Sequence, residues 1–340
     1  VSGRGDSPNQ RDTDRCDPDQ GSPDQRGTDC SGHCVGSRIG KQTEAALEKT
    51  TSRRGFLKAF TAAAAGAAAV TTGCSTTDMD RFFQEHYKEM SPADKEKVFA
   101  RISADTKTKY SVDINLTDPP PVPGARFAFA ISLSVCNGNR ACVHACVEEN
   151  NQGRDPAIQY IKVVELDRGT FNLEEGDAYY EGEVPRKSKF YLPMQCNQCD
   201  NPPCTKVCPV EATWKEDDGI VVIDYDWCIG CRYCMAACPY DARRFNFKEP
   251  ELRRSEVNTN QGYLSNRVRP KGVVEKCHFC LHRTRIGAMP ACMEACPTGA
   301  RKFGNIADPE SDVAMIVRDK RVFVLKEELG TIPNIYYYFD

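Results

Sequence analysis

The chain has 340 residues, room for one large domain or two modest ones, so burying a core is no difficulty. Its formal net charge is only −3, which offers no basic field to nucleic acid or to an anionic lipid surface. Nineteen cysteines are the unusual feature; they could serve disulfides, zinc or iron-sulfur clusters, and spacing has to choose.

Residues 1–51 are rich in Asp, Gly, Pro, Ser and Gln and read as a disordered N-terminal extension. Val1 in first place is read as an alternative start codon or a start set too far upstream. Cys16, Cys30 and Cys34, with His33 beside them, imitate a small metal site, but nothing around them can pack and order one. Ser52-Arg53-Arg54-Gly55-Phe56-Leu57-Lys58 then matches the twin-arginine export pattern, and an Ala-rich apolar run follows directly. That run, about a dozen residues, is too short for an ordinary span of roughly 20. Residues 52–74 are therefore expected to be a twin-arginine signal that delivers a folded protein to the periplasmic side of the cytoplasmic membrane. Cys74 follows Gly73 where a lipoprotein signal places its lipidated cysteine, although Thr71 stands where Leu is usual. Lipidation, cleavage after the Ala run and retention of an uncut anchor stay open.

Residues 75–126 read as a helical arm and a stiff Pro-rich linker, with Phe82, Phe83, Tyr87, Met90, Val98 and Ile102 at helical spacing. Ser91 and Pro92 form a helix-start signal within it. The arm is expected to lie against a partner or the main body. Residues 127–310 alternate short β-type runs (AIQYIKVVEL, KFYLP, GIVVIDYD, RRFNF) with cysteine-rich loops, an α+β pattern. Residues 248–272, charged and without periodicity, are expected as a surface insertion. Residues 311–340, with KRVFVL, are expected as a C-terminal strand and tail, and no apolar run after 127 is long enough to span a membrane.

The strongest motif is DWCIGCRYCMAACPYDA, in which Cys228, Cys231, Cys234, Cys238 and Pro239 reproduce the bacterial ferredoxin run C-x2-C-x2-C-x3-C-P. Three thiolates in one tight loop can reach three iron corners of a cubane, while the fourth points toward a second cluster. Zinc ribbons instead pair two C-x2-C knuckles around one ion. Upstream, Cys196, Cys199, Cys204 and Cys208 keep the closing C-x3-C-P with two residues added to the second gap. Downstream, Cys277, Cys280, Cys292 and Cys296 keep it with eleven residues between the halves. The first motif departs: Cys136, Cys142 and Cys146 are present, but Asn139 holds the second cysteine's place, and a neutral amide is a poor iron ligand.

Residues 127–305 resemble the four-cluster electron-transfer subunits of the molybdopterin oxidoreductase (dimethyl sulfoxide reductase) family. That group includes polysulfide, tetrathionate and formate-dependent nitrite reductase iron-sulfur subunits, with similar subunits in quinone reductases and alternative complex III. The resemblance implies an α+β, tandem bacterial-ferredoxin-like fold of two dicluster modules. It also implies the ligand sets. One takes Cys196, Cys199, Cys204 and Cys238, its neighbour Cys228, Cys231, Cys234 and Cys208, and another Cys277, Cys280, Cys292 and Cys146. The last takes Cys136, Cys142 and Cys296 with Asn139 at the vacant position. Three 4Fe-4S clusters and one 3Fe-4S cluster are expected, the rival being a complete fourth cluster with Asn139, water or another side chain at that iron.

His278 and His282 suggest Rieske-type ligation, but that needs two histidines in place of two cysteines and all four cysteines are present; surface or supporting roles are expected. Tyr225, Trp227, Tyr233 and Tyr240 are read as packing that shields clusters from water. Arg232, Arg243, Arg244, Lys276 and Arg283 either raise cluster potentials or form a solvated rim. With no nucleophile and base pair and no phosphate loop, the chain reads as a non-catalytic subunit. Its partners, by resemblance, are a molybdopterin-type catalytic subunit and an integral quinone-reactive membrane subunit, with a multihaem cytochrome c as a further candidate. The alternative is a free periplasmic shuttle.

Overall fold

The computed structural model describes residues 84–340. The extension, the twin-arginine segment, Cys74, and Phe82 and Phe83 of the arm lie outside the described residues. In chain order the elements are α1 (Pro92–Tyr110), β1 (Asn115–Thr117), β2 (Phe127–Ser132), α2 (Ala141–Glu149), β3 (Lys162–Asp167), β4 (Lys189–Met194), α3 (Pro203–Lys206), β5 (Thr213–Lys215), β6 (Val221–Ile223), α4 (Tyr233–Ala236), β7 (Arg243–Phe245), β8 (Asn260–Gly262), β9 (Val274–Lys276), α5 (Leu281–Thr284), α6 (Ala291–Glu294), β10 (Arg301–Asn305), α7 (Asp312–Asp319), β11 (Val322–Phe323) and β12 (Ile335–Tyr338). Among the described residues no helix is long and apolar enough to cross a membrane.

The run FAFAIS builds β2, a strand missing from the sequence expectations. It lies inside a four-stranded sheet ordered β10-β2-β12-β11. Side chains alternate between the faces of a strand. On one face the small Ala128 and Ala130 let α7 approach, with Val313 fully buried against them. On the other, Phe129 meets Phe279 edge-on at 5.1 Å and Phe303 at 4.8 Å, closing the apolar core beside the cysteine loops. Residues 311–340 are thus more than a tail: β12 runs parallel to β2, with Ile335 and Tyr337 fully buried.

The remaining strands pair in twos: β3 with β4, β5 with β6 and β7 with β9, all antiparallel, and β1 with β8 in parallel. Short helices pack in pairs, α3 on α4 and α2 on α6. Helix α1 begins where Ser91 accepts from the Asp94 amide at 3.2 Å, and ends at Ser111 in the left-handed region. Its buried stripe is Val98, Ile102, Thr106 and Tyr110, spaced by four residues. Tyr87 stacks on Trp214 and Tyr263, and the Tyr110 hydroxyl donates to the Pro250 carbonyl at 2.8 Å, so this part of the arm lies on the main body.

Residues 248–260 are mostly exposed or half-buried, as expected of a surface insertion, but 261–269 contradict the surface reading. Tyr263, Leu264, Ser265, Asn266, Arg267 and Arg269 are at most 2% exposed. The charges pair internally: Arg267 meets Asp226 at 3.3 Å and Arg269 meets Glu275 at 2.7 Å. Glu275 also accepts from Tyr160 and from Asn246, each at 2.6 Å, so its buried charge is fully engaged. Glu275→Gln strands the Arg269 cation and should destabilise the chain by about 3–5 kcal/mol, read as a lowered denaturant midpoint. An unchanged midpoint would show that the pair does not hold this segment in the core.

Candidate iron-sulfur sites

Three of the four cysteine motifs close on the same local turn. After Cys208, Cys238 and Cys296 the chain reads Cys-Pro-x-x-Ala, and the fourth residue (Glu211, Asp241, Gly299) takes a positive φ, reversing the chain into β5, β7 and β10. Prolines there stop the short helices that carry the preceding cysteines. In the third motif Gly230, at φ +69°, is forced by space as well: a Cβ would stand 2.1 Å from the Gly272 carbonyl oxygen. Gly138, at φ +75°, similarly leaves room for the Tyr191 ring.

The fifteen described cysteines are all free thiols, and they fall into four groups. Cys136, Cys142 and Cys296 line one cavity together with Asn139 and Arg301. Cys146, Cys277, Cys280 and Cys292 interact electrostatically with one another and are all buried. So do Cys196, Cys199, Cys204 and Cys238. Cys208, Cys228, Cys231 and Cys234 line a second cavity, with Arg243 in its wall. The groups adjoin in that order, since Cys142 senses Cys292, Cys277 senses Cys196, and Cys234 senses Cys204.

Burial pushes the Cys142 thiol up to about 11 despite the opposing Arg301 charge. Burial and then the neighbouring Cys196 push Cys199 and Cys277 each up to about 12. Cys146 and Cys280 are driven well above the ordinary thiol value by burial and adjacent thiols. Donors aim at the same sulfurs. Gln152 Nε2 reaches Cys146 Sγ at 3.2 Å, Asn150 Nδ2 reaches it at 3.5 Å, and Arg243 Nη2 reaches Cys204 Sγ at 3.0 Å. Backbone amides of Val274 and Gly230 donate to Cys228. Crowded all-sulfur donor sets, met by amides and cations, fit thiolate-ligated iron-sulfur clusters, whose soft donors and negative charge need such an environment. Among the described residues no three His, Cys, Asp or Glu side chains are disposed to hold a single metal ion.

Several expectations change here. Arg243 and Lys276 are 2% and 1% exposed, so neither belongs to a solvated rim. Tyr225 is buried as expected of a shield, but Tyr233 is 64% exposed and shields nothing. His278 and His282 are both buried and not surface residues; His282 pairs with Glu149 at 2.7 Å. Burial holds the His278 ring well below its ordinary value, so it is neutral, and neither ring nitrogen has a hydrogen-bond partner. Sequence reasoning missed Arg301 altogether. Its signal was present: CPTGAR at 296–301 repeats CPYDAR at 238–243, which sets Arg301 in the place of Arg243.

This arrangement defines an iron-sulfur electron-transfer protein of α+β, ferredoxin-like fold. A family described as a 4Fe-4S dicluster domain matches residues 187–262 and 263–306. The chain is 38% identical to a selenate reductase subunit of Mesobacillus selenatarsenatis over 85% of its own length and 97% of that protein's. It is 40% identical to the iron-sulfur cluster-binding subunit of the menaquinone reductase of Nitratidesulfovibrio vulgaris, over 62% of this chain and 88% of that one. It is 34% identical to the arsenate respiratory reductase iron-sulfur subunit ArrB of a Shewanella species, over 62% and 95%. The chain belongs to the iron-sulfur electron-transfer subunits of the molybdopterin oxidoreductase family.

Gly230→Ala is expected to open the loop that presents Cys228 and Cys231 and to lower bound iron by about four atoms per chain, the content of one cubane. Iron analysis at unchanged protein yield checks this; full iron would mean that the loop does not need the glycine.

Proposed function

We propose that this chain relays single electrons through three 4Fe-4S clusters and one 3Fe-4S cluster, held in two ferredoxin-like dicluster modules. Cys196, Cys199, Cys204 and Cys238 hold one cubane, Cys208, Cys228, Cys231 and Cys234 its neighbour, and Cys146, Cys277, Cys280 and Cys292 the third. Cys136, Cys142 and Cys296 hold the 3Fe-4S cluster. The clusters supply one-electron chemistry; the protein supplies thiolates, spacing and charge. The observation that carries this reading is the unbroken adjacency of the four cysteine groups. Both ends of the row reach the surface, at Asn139 and at Cys231, while the Cys146 group between them is buried.

The three-iron assignment draws on Asn139. Its side-chain oxygen accepts from the Ala141 amide at 3.0 Å, at the start of α2, which commits that oxygen to the backbone and away from an iron corner. An iron without a strong ligand is readily lost.

The names of its relatives, among them a selenate reductase subunit and an arsenate respiratory reductase iron-sulfur subunit, support a place in a respiratory reductase complex; there, by the family resemblance of its cysteine motifs, the chain passes electrons between a quinone-reactive membrane subunit and a molybdopterin-type catalytic subunit, or a multihaem cytochrome. The twin-arginine pattern at 52–58 supports export to the periplasmic side, and Cys74 is a candidate lipid anchor.

Anaerobic purification with iron analysis and electron paramagnetic resonance tests the cluster load. About fifteen irons per chain and a 3Fe-4S signal in the oxidised protein are expected, and four or fewer irons would sink the relay. Asn139→Cys should raise iron to about sixteen and abolish the 3Fe-4S signal. If that signal survives the substitution unchanged, position 139 is not the missing corner.

A further inference from the structure

Cationic side chains enter this interior in two ways. Arg267, Arg269 and Arg285 each meet a carboxylate, with Asp226 at 3.3 Å, Glu275 at 2.7 Å and Asp218 at 2.7 Å. Arg243, Lys276 and Arg301 are at most 2% exposed, yet no carboxylate pairs with them: thiols and neutral dipoles face them, Arg243 also faces Lys276, and burial with that neighbouring charge holds the Lys276 ammonium below its ordinary value. Arg243 binds Cys204 and Thr213, Arg301 binds Gln195, and Lys276 binds the carbonyls of Val221 and Cys277. Nη1 of Arg243 and both Nε and Nη1 of Arg301 have no hydrogen-bond partner. A buried cation left without an opposing charge is strongly destabilising, so the sequence keeps these three for something that supplies negative charge.

Their places follow a rule. Arg301 stands in the cavity of Cys136, Cys142 and Cys296 and also faces Cys292 and Cys277 of the next group. Lys276 directly precedes Cys277 and faces Cys196 and Cys204 of the following group. Arg243 donates to Cys204 and lines the cavity of Cys208, Cys228, Cys231 and Cys234. Each of the three junctions between four successive groups therefore holds one buried cation. Register supports this spacing: Arg243 and Lys276 are direct cross-strand partners in the β7–β9 pair, and Arg301 opens β10 just as Arg243 opens β7.

We propose that Arg301, Lys276 and Arg243 are bridging cations, each raising together the reduction potentials of the two clusters that flank it. The proposal rests on the four-cluster reading above. A fixed positive charge stabilises an added electron on either side of it, most strongly in a dry interior, and the effect weakens with distance. A charge placed at a junction therefore lifts two neighbours in step, so that an electron meets no deep drop or high step between them. A charge beside one cluster alone would do the opposite and isolate it.

The test is a redox titration of the purified full-length protein followed by electron paramagnetic resonance, with iron counted in every variant. Arg301→Gln should weaken reduction of the Cys136 and Cys146 clusters about tenfold each, about 59 mV for a one-electron couple, and leave the other two nearly unmoved. Arg243→Gln should shift the complementary pair, the Cys196 and Cys228 clusters. Arg301→Lys and Arg243→Lys, which keep the charge, should restore most of each shift. A shift confined to one cluster, an equal shift in all four, or no shift at wild-type iron would overturn the proposal. A neutral variant that loses iron is read from the same count. Loss from the two flanking clusters upholds the pairing, whereas loss from one alone or from all four overturns it. Wild-type iron far below fifteen would defeat the underlying cluster reading instead, a result distinct from full iron with unmoved potentials.

Discussion

Negative charge in a dry interior is the constraint around which this protein is built. Thiolates are needed to hold iron, and burial, with the neighbouring thiols, pushes the Cys146, Cys280 and Cys277 thiols far toward their neutral forms. The fold answers with groups that favour the charged sulfur. Amides from Asn150 and Gln152 point at Cys146, backbone amides point at Cys228, and a guanidinium touches Cys204. Loops with positive φ at Gly230, Gly138, Phe279 and Cys280 turn the backbone tightly around the sulfurs; glycine adopts this freely, but at Phe279 and Cys280 the surrounding packing imposes it. Apolar packing completes the enclosure, with Phe129, Phe279 and Phe303 shutting the core against the central sheet.

What could be read from the sequence was whatever the chemistry writes locally. The cysteine spacings, the trailing prolines and the gap at Asn139 are short-range patterns, because one loop must present three sulfurs to one cluster. The Ser91-Pro92 helix start is equally local, and the structure has it. Residues 261–269 mislead because hydropathy sees Arg267 and Arg269 as surface charges. Their partners Asp226 and Glu275 sit on other elements, and no local pattern shows that a charge will be matched. The same blindness hides the burial of Arg243, Lys276 and Arg301. Strand β2 escapes for a different reason: FAFAIS alternates only between large and small apolar residues, so its two faces lack the polar contrast that marks a half-buried strand.

Family membership and geometry constrain different things. The relatives include proteins named for selenate, arsenate and menaquinone chemistry, on a shared iron-sulfur scaffold. Their names differ in substrate while the iron-sulfur scaffold is shared, so the fold alone does not set the substrate in such a group. Within this chain Asn150, Gln152 and Arg243 address sulfur, and Ile229, Tyr233 and Phe247 are among the exposed apolar side chains.

The central sheet has a further consequence for how the chain is made. Strand β2, at residues 127–132, is flanked by β10 and β12, whose residues 301–305 and 335–338 leave the ribosome well after it. At about 5–20 residues per second, roughly 200 residues of synthesis, on the order of 10–40 s, pass before both neighbours exist. Until β10 is made FAFAIS has two bare edges, and until β12 is made it keeps one, a template for association with any other extended chain. Holding the nascent chain and delivering iron and sulfide are therefore tasks on the same clock, and loss of residues 335–338 would leave one side of β2 unpaired.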